Sequence, residues 1–238
     1  MFPSLRHGAI CSLAALTLLA CVLSRAAADD VAVAPSRVEA WKPMTFPKID
    51  KTTAYTTVRD DDAEAILARA ECSASALYVA VDVDLTKTPL LTWRWKATQA
   101  PTAADERRKD GDDFAARVYV MFRFDAQRAS WWARARHRLG TAIYGDIVPG
   151  NAINYVWSSQ EPAGASWENP FSSEARMIVV GRGAMSEWRQ ESVDVAADYE
   201  KYFGSPLPPL LAVAVMSDSD NTCSQAGAYF ADFRFRSR

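Results

Sequence analysis

The chain has 238 residues, 49% of them hydrophobic and 24% charged, and its formal net charge is −2. This balance lacks the excess of basic residues that nucleic-acid binding requires, so no nucleic acid is expected as a partner. With 2 histidines and 4 cysteines in the whole sequence, the chain is poorly supplied for zinc sites and for Ser-His-Asp or Cys-His catalysis. It also contains no glycine-rich phosphate loop and no dinucleotide-binding fingerprint.

Residues 1–28 have the organisation of a secretory signal peptide. A short basic region at Arg6 and His7 precedes an uncharged apolar run from Ala9 to Leu23, and Ala26 to Ala28 offers small residues for cleavage. The apolar run is shorter than the roughly 20 residues that span a bilayer. We therefore expect an exported protein of the periplasm or cell envelope, with no transmembrane segment after cleavage.

A second interpretation of the leader is lipid anchoring. The segment Leu18-Leu19-Ala20-Cys21 loosely fits a bacterial lipoprotein cleavage box, with Cys21 as the lipidated residue. Leucine directly before Ala20 is a poor fit to that box, so the sequence favours release as a soluble protein.

Cys72 and Cys223 are the two cysteines beyond the leader. An even pair in an exported protein permits one disulfide, which would close a loop of about 150 residues and contribute about 4 to 5 kcal/mol in the chain-entropy model. Two unpaired thiols in loops are the alternative, and the sequence does not choose between them.

The first half of the mature chain has the two-residue alternation typical of β-strands. The first two predicted strands flank an acidic turn and are expected to form a hairpin, and the fourth places Trp93 and Trp95 on its core side. These strands are predicted over residues 52–58, 63–70, 77–85 and 91–96.

The clearest alternation lies in residues 110–124, DGDDFAARVYVMFRF. From Phe114 onward its even positions are apolar and its odd positions include Arg117, so it predicts a strand with one core face and one wet face, entered through an acidic turn. If it pairs with the 91–96 strand, Arg94 and Arg117 lie on the same face. Two guanidinium groups set so close need acidic partners or an anionic ligand.

From Ala126 to Leu139 the composition favours a helix, which is strongly basic and carries Trp131 and Trp132. Such a helix could lie on a membrane surface or on an anionic glycan. The simpler interpretation, which we favour, is a solvated cover helix whose tryptophans pack on the sandwich.

The second half continues with strands and one more helix, which begins at an Asp194 cap and ends at Gly204 and Pro206. Residues 159–174 are predicted to be a loop. The expected fold is a single-domain, mostly antiparallel β-sandwich over residues 29–238, resembling a jelly-roll with two short helical insertions. The remaining strands are predicted over residues 152–157, 176–180, 188–194, 211–215 and 229–235.

Several motifs in fixed order resemble the bacterial family called domain of unknown function 3047. They are LTWRWK, DGDDFAARVYVMF, INYVWS, the segment from Trp188 to Tyr199 and VAVMSDSDNT before AYFADFRF. The resemblance covers essentially the whole mature chain. It implies an exported bacterial β-sandwich and brings no established activity with it. Cys223 is atypical of the family, so the resemblance does not imply a disulfide.

Polar residues on the non-core faces and at the ends of the predicted strands form the candidate site. An ion-pair and hydrogen-bond network that satisfies the sheet face is the simplest role for them. The ligand-binding candidates are Arg94, Arg117, Tyr119, Asn154 and Asp232, the catalytic candidates are Asp113 and Glu191, and the candidate metal ligands are Asp112, Asp218, Asp220 and Asn221.

Calcium is the metal that these ligand types fit, because it takes six to eight oxygen ligands from carboxylates, amides and carbonyls. The segment from Asp218 to Cys223 has no glycine at the place where an EF-hand loop needs one. The sequence therefore predicts a sandwich-type calcium site, formed with the acidic turn at residues 110–113.

The leading functional hypothesis is a binding protein for a glycan or another envelope component, because a polar strand face with arginines and nearby aromatic residues suits sugars. A hydrolase or lyase that acts on such a polymer through Asp113 or Glu191, with Arg94 and Arg117 stabilising negative charge, is the second hypothesis. An envelope scaffold without a ligand is the third.

Overall fold

The computed structural model describes residues 30–61, 63–182 and 187–238. The predicted signal peptide, with Cys21, lies outside these residues. Strands are the main elements of the described chain, and two α-helices are inserted between them. In chain order the strands are β1 Asp30–Ala32, β2 Lys42–Met44, β3 Ala54–Asp60, β4 Ala63–Glu71, β5 Ala74–Ala80, β6 Leu90–Gln99, β7 Ala116–Phe122, β8 Asn151–Ser158, β9 Ser166–Asn169, β10 Ser172–Arg182, β11 Arg189–Asp194, β12 Leu210–Asp218 and β13 Gln225–Arg236, and the helices are α1 Trp131–Tyr144 and α2 Val195–Phe203.

The strands form two sheets. Sheet A has the order β11-β6-β13-β4-β3, with β1 added to β13, and sheet B has the order β2-β5-β12-β7-β8-β10-β9. The chain crosses from sheet B to sheet A and back between β5, β6 and β7, as in a jelly-roll. All pairs are antiparallel except β8 with β10, which run parallel. The predicted β-sandwich and the β3–β4 hairpin are confirmed.

The predicted bounds of one strand and one loop are wrong. The strand predicted over residues 77–85 is β5, which spans Ala74–Ala80. The Val81 N–H still donates to the Leu211 carbonyl of β12, and the chain then turns where the N–H groups of Lys87 and Thr88 donate to the Asp84 carbonyl. The predicted loop over residues 159–174 contains β9 and the start of β10. Its proline and glycine residues are confined to the turns around those strands, so they do not prevent β9 from pairing with β10.

The core lies between the two sheets and is rich in aromatic rings. Trp93 and Trp95 on β6 are fully buried there, as their alternation predicts. The Trp95 ring meets that of Trp157 from sheet B edge-on, with centroids 5.9 Å apart, and Trp93 packs 5.8 Å from the Tyr155 ring. Aromatic pairs of this kind add stability beyond the burial of their area.

The outer face of sheet B is not wet, contrary to the prediction for β7. Val118 and Val120 face the core as expected, but Arg117 on the opposite face is also buried, with 2% of its surface exposed. The reason is that the segment around Asp112 encloses the Arg117 side chain, which also binds Asp218 at the end of the neighbouring strand β12. Arg117 therefore lies inside the protein, whereas Tyr119 on the same face is half-buried.

Both predicted helices exist. α2 begins at the Asp194 cap, whose side chain accepts a hydrogen bond from the N–H of Ala197. α1 starts five residues later than predicted and is capped by Ser130, because Asp125 holds the preceding segment in a turn. Trp131 is 62% exposed, so the prediction that it packs on the sandwich is wrong. Among the described helices, none is long and apolar enough to cross a membrane.

Cys72 and Cys223 form a disulfide between residues 151 positions apart. Each cysteine has a positive φ, 49° and 47° respectively, a backbone conformation that costs energy for a residue with a Cβ. The Cys72 N–H also donates to the carbonyl of Ser224. The bridge thus joins the β4–β5 turn to the turn between β12 and β13.

Candidate functional site

The sequence-predicted site residues are divided between the two sheets and the turns beside them. Arg94 and Asp232 lie on sheet A, where Nε of Arg94 is 2.8 Å from Oδ2 of Asp232. Arg117 lies on sheet B, so the prediction that Arg94 and Arg117 share a face is wrong. β6 pairs with β11 and β13, whereas β7 pairs with β12 and β8. The connection over residues 100–115 crosses between the sheets instead of forming a hairpin.

Arg117 is held by two carboxylates inside the protein. Its Nε donates to Oδ1 of Asp218 at 2.7 Å, and its Nη2 donates to the other oxygen of the same group. Its Nη1 lies 3.4 Å from Oδ2 of Asp112. The Phe114 ring packs 4.4 Å from the guanidinium carbon, and the Phe114 N–H also donates to Asp218. A ligand of Arg117 would have to displace these partners.

Burial governs the ionisation of this network. It raises the pKa of Asp112 to about 6 and the pKa of Asp218 to about 8, because desolvation outweighs the attraction of the single Arg117 guanidinium. It also raises the pKa of Tyr119 to about 12. Two carboxylates compete for one cation, so each is harder to ionise than in water.

Asp113 closes the turn that follows β12. Its Oδ1 accepts hydrogen bonds from the backbone N–H and the side-chain amide of Asn221. Its Oδ2 accepts from the backbone N–H and the hydroxyl of Thr222. These bonds use the lone pairs that a general acid or base needs, and they give Asp113 a clear structural role.

The candidate metal ligands are brought together in part. Carboxylate oxygens of Asp113, Asp218 and Asp220 lie within 4.8 Å of one another. Asp112 is outside this group, and Asn221 turns its amide toward Asp113 as a donor. The oxygens of Asp113 and Asp218 already accept hydrogen bonds from charged or neutral donors. A calcium ion would have to compete with these donors. Calcium binding here stays a prediction.

Tyr119 and Asn154 are direct neighbours across β7 and β8. The Tyr119 hydroxyl lies 3.7 Å from Sδ of Met216, and Nδ2 of Asn154 lies 3.2 Å from Sδ of Met177. Oδ1 of Asn154 is buried and has no hydrogen-bond partner among the described residues. Since Asn154 has no exposed surface, this part of the sheet offers a ligand little to contact.

Glu191 is on the edge strand of sheet A. Its Oε1 accepts a hydrogen bond from Nε1 of Trp95 at 3.1 Å, and burial raises its pKa. Asp113 is fixed to the turn after β12 in the other sheet. The two catalytic candidates are thus held by different partners, and the structure does not bring them together.

A cleft of about 570 Å³ opens beside α1. We call it the α1 cleft. It is lined by residues of the segment that leads from β7 into α1, by the beginnings of β8 and β10, and by the end of α2 with the turn that follows it. Its volume is in the range of about 300 to 1,000 Å³ that small-ligand sites occupy.

Local sequence fixes the walls of the α1 cleft. Gly150 packs against the end of β7, where a Cβ would come within 2.7 Å of Cα of Phe124, so only glycine permits this approach. The Asp125 side chain accepts hydrogen bonds from the N–H groups of Gln127 and Arg128. This turn lies between the end of β7 and the start of α1.

Hydrogen-bonding groups converge on the α1 cleft from three segments. Arg123 is exposed and has no ion-pair or hydrogen-bond partner for its side chain among the described residues. Nη2 of Arg128 donates to the Ser205 carbonyl at 3.1 Å. Oδ1 of Asn151 accepts from the Tyr199 hydroxyl at 3.2 Å. Several N–H groups of the two arginines therefore stay available.

Aromatic rings form the apolar part of the α1 cleft. The His137 ring stacks on the Phe124 ring, with centroids 4.0 Å apart and planes 9° apart, and Nε2 of His137 lies 3.1 Å from the Val148 carbonyl oxygen. On the other side, the Tyr199 and Phe203 rings are 5.2 Å apart. The cleft thus combines flat apolar surfaces with polar groups, as small-ligand sites do.

None of the residues that line the α1 cleft is among the sequence-predicted site residues. The available signal is the basic helix predicted over residues 126–139, which the sequence favours as a solvated cover helix, with a membrane surface or an anionic glycan as its alternative partner. Other residues that line the cleft, such as Asn151, Glu174 and Tyr199, come from distant segments. Only the fold shows that they meet.

A family model described as "Protein of unknown function (DUF3047)" matches residues 39–234. A search of the curated proteins finds no match to the chain.

Among solved structures, the chain is similar to a family 30 carbohydrate-binding module of a cellulosomal cellulase of Clostridium thermocellum, with 10% identity, 88% of this chain and 98% of that chain covered, and a TM-score of 0.44. It is also similar to the xyloglucanase domain of NopAA, a type three effector from Sinorhizobium fredii, in complex with cellobiose, with 8% identity, 83% and 93% covered, and a TM-score of 0.42. It is similar as well to endoglucanase Cel12A from Rhodothermus marinus, with 11% identity, 88% of this chain and 96% of that chain covered, and a TM-score of 0.42. With TM-scores this low, these similarities do not indicate what the chain does.

Proposed function

The chain belongs to the DUF3047 family of proteins of unknown function, and because this membership brings no activity with it, we propose a function from the site itself: the protein is exported and binds carbohydrate in the α1 cleft. The observation that carries the proposal is the composition of that cleft. It joins aromatic surfaces to arginine, asparagine and carboxylate side chains in one open space of about 570 Å³.

Carbohydrate is the ligand class that these groups suit together. A sugar has an apolar ring face that packs on aromatic rings such as Phe124 or Phe203, and its hydroxyl groups both donate and accept hydrogen bonds. Arg123 and Arg128 offer donors, while Asp125 and Glu174 offer acceptors on the same cleft. A purely apolar ligand would leave these polar groups without partners, which costs binding energy.

The polar network around Arg117 supports this choice of site indirectly. Arg117, Asp112 and Asp218 satisfy one another in the interior, which is what a structural network requires. The α1 cleft differs because it is open and because Arg123 has no partner among the described residues. We therefore propose that the glycan binding that the sequence favours takes place in the α1 cleft and not on the face of β7.

Export is part of the proposal. It is supported by the signal-peptide pattern of residues 1–28 and by the Cys72–Cys223 bridge, since structural disulfides persist in oxidising compartments. Fractionation of expressing cells should find the protein in the periplasmic extract, with the same result for a Cys21→Ser variant. Membrane association that disappears in the Cys21→Ser variant would show lipid anchoring instead, and cytoplasmic retention would contradict export.

Two variants on one helix test the site. Ala133 lines the α1 cleft, and Ala135 on the same helix is exposed and is not part of the lining. We expect Ala133→Trp to fill the cleft and abolish glycan binding, measured by a glycan array and by titration calorimetry on the best ligand. Ala135→Trp should bind like the wild type.

The outcomes separate the site from the function. Unchanged binding by the Ala133→Trp variant would place the site elsewhere on the protein. Failure of the wild type to bind any glycan would contradict carbohydrate binding and favour the scaffold hypothesis.

A polysaccharide-acting enzyme is the second candidate, because two carboxylate side chains, Asp125 and Glu174, line the α1 cleft. Paired carboxylates are the usual machinery of glycoside cleavage. Wild-type protein and a Glu174→Gln variant should be incubated with mixed polysaccharides. Product from the wild type alone would favour an enzyme, and no product from either would favour binding.

A further inference from the structure

We propose that the α1 cleft selects saccharides that carry an anionic group, and that Arg123 is the residue that binds this group. The inference rests on the proposed carbohydrate binding and adds the chemical class of the ligand. Three features of the cleft support it: an unpaired guanidinium, carboxylates that are already engaged, and a basic surround.

Arg123 is the central feature. It follows the end of β7, and its backbone N–H donates to the carbonyl of Pro209 at 2.9 Å, so its main chain is fixed beside the start of β12. Its side chain lines the α1 cleft and has no partner among the described residues. A guanidinium presents five donors in a planar fork that matches a carboxylate or a phosphate.

The carboxylates of the cleft are bound to other groups. Asp125 accepts hydrogen bonds from two backbone N–H groups of the turn before α1, at 2.9 and 3.3 Å. Glu174 accepts hydrogen bonds from the hydroxyls of Ser172 and Ser173. Among the described residues, neither forms an ion pair with Arg123. The Arg123 guanidinium therefore has no ion-pair partner within its own cleft.

The surround of the α1 cleft is basic. Arg128 lines it, with one Nη bound to a carbonyl, and Nε of Arg134 donates to the carbonyl of Ala129 on its wall. The first turn of α1 contains no acidic residue, and the N-terminal end of a helix is the positive end of its dipole. An anionic ligand would thus be attracted before it meets Arg123.

The chemistry that satisfies these features is a sugar with a charged substituent. Its ring packs on the aromatic part of the cleft, its hydroxyls meet Arg128 and Asn151, and its carboxylate or phosphate binds the guanidinium of Arg123. The shared requirement is a planar or tetrahedral anion on a saccharide. Binding measurements with an acidic sugar and with a sugar phosphate distinguish a carboxylate ligand from a phosphate ligand.

Binding should be measured by titration calorimetry with three probes: an oligogalacturonate, the neutral galacto-oligosaccharide of equal length, and a sugar phosphate. We expect an anionic probe to bind roughly ten- to hundredfold more tightly than the neutral one, as a charge-assisted hydrogen bond does. Its affinity should fall as salt is added. The better of the two anionic probes identifies the substituent.

Variants at Arg123 provide the test of its role. Arg123→Ala should remove the preference for the anionic probe, and Arg123→Lys should keep part of it, because lysine retains the charge but not the fork. Arg69→Ala, an exposed change on β4 of sheet A, is the matched control and should bind like the wild type. Each variant should unfold at the same temperature as the wild type, since both arginines are exposed.

Two results would overturn the inference while the proposed function stands. They are equal binding of neutral and anionic probes by the wild type, and an unchanged preference in Arg123→Ala. If acetate or inorganic phosphate alone bound as tightly as the saccharides, the cleft would be an anion site and carbohydrate binding itself would fail. If none of the saccharides bound, the proposed function would fail first.

Discussion

The guanidinium of Arg117 donates hydrogen bonds to both carboxylate oxygens of Asp218 in the interior of the protein. Each of the two side chains is 2% exposed. The residues are 101 positions apart in the chain. This pair ties the start of β7 to the end of β12, and it does so in a region where water cannot replace either partner. Its effect on stability therefore depends on whether both charges are present.

Replacing Arg117 with methionine should destabilise the protein strongly. The substitution leaves Asp112 and Asp218 buried without a cation, and breaking a buried pair in this way costs about 3 to 5 kcal/mol. Urea unfolding followed by circular dichroism measures the loss. Arg69→Met on the surface should change the free energy of unfolding by less than about 0.5 kcal/mol. A similar small effect at Arg117 would show that the pair is not important for stability.

The raised pKa of Asp112 predicts a fall in stability with rising pH. A carboxyl whose pKa is raised from 3.8 to about 6 in the folded state is favoured in its protonated form by folding. Protonated Asp112 contributes fully to the free energy of unfolding below about pH 4, and this contribution is lost as pH rises through about pH 6. The loss has an upper limit on the order of 3 kcal/mol. Asp218, with a pKa raised to about 8, extends the fall to higher pH.

The Asp112→Asn variant isolates this effect. Asparagine resembles the protonated carboxyl and does not titrate, so the free energy of unfolding of the variant should depend less on pH between about pH 4 and pH 6. Equilibrium unfolding at several pH values compares the two proteins. Parallel curves for wild type and variant would mean that Asp112 does not titrate in this range.

Loss of the Cys72–Cys223 bridge should lower the free energy of unfolding by about 2 to 5 kcal/mol, since the bridge closes a long loop. The Cys72→Ser/Cys223→Ser double variant and reduced wild-type protein should have the same lowered stability in urea. The double variant in the presence and absence of reductant is the control, and it should not change. Equal stability of oxidised and reduced wild type would contradict the expectation.

Calcium should have little effect on stability if the bonds of Asp113 and Asp218 persist in solution. A cation at the Asp113, Asp218 and Asp220 cluster would have to replace donors from Asn221, Thr222 and Arg117. We therefore expect the melting temperatures with calcium and with EDTA to agree. A clear rise with calcium, absent in an Asp220→Asn variant, would instead show that the calcium site predicted from the sequence exists.

Alternation along single strands was a sound guide to the fold. It placed Trp93, Trp95, Val118 and Val120 on the core side, and all four are buried there. This works because the two-residue period is a property of each strand by itself. The Asp194 cap of α2 is also local, and it too is confirmed.

Relations between distant segments could not be obtained in the same way. The face of β7 that carries Arg117 has a polar pattern, which suits a wet surface and a covered one equally well. What decides is the position of Asp218, and that depends on which strands pair. The α1 cleft is a stronger case, because Arg123, Asn151 and Glu174 come from segments whose meeting depends on the parallel pair β8 and β10.

The edge strands of both sheets have a consequence for self-association. In sheet B the edges are β2, which has 3 residues and contains Pro43, and β9, which has 4 residues. In sheet A, β11 carries Arg189 and Glu191, and Thr57 on β3 already accepts the N–H of Val38 from the segment beside it. Short, proline-containing, charged or covered edges give a further strand little to pair with. Both sheets therefore offer another copy of the chain little free edge for strand pairing.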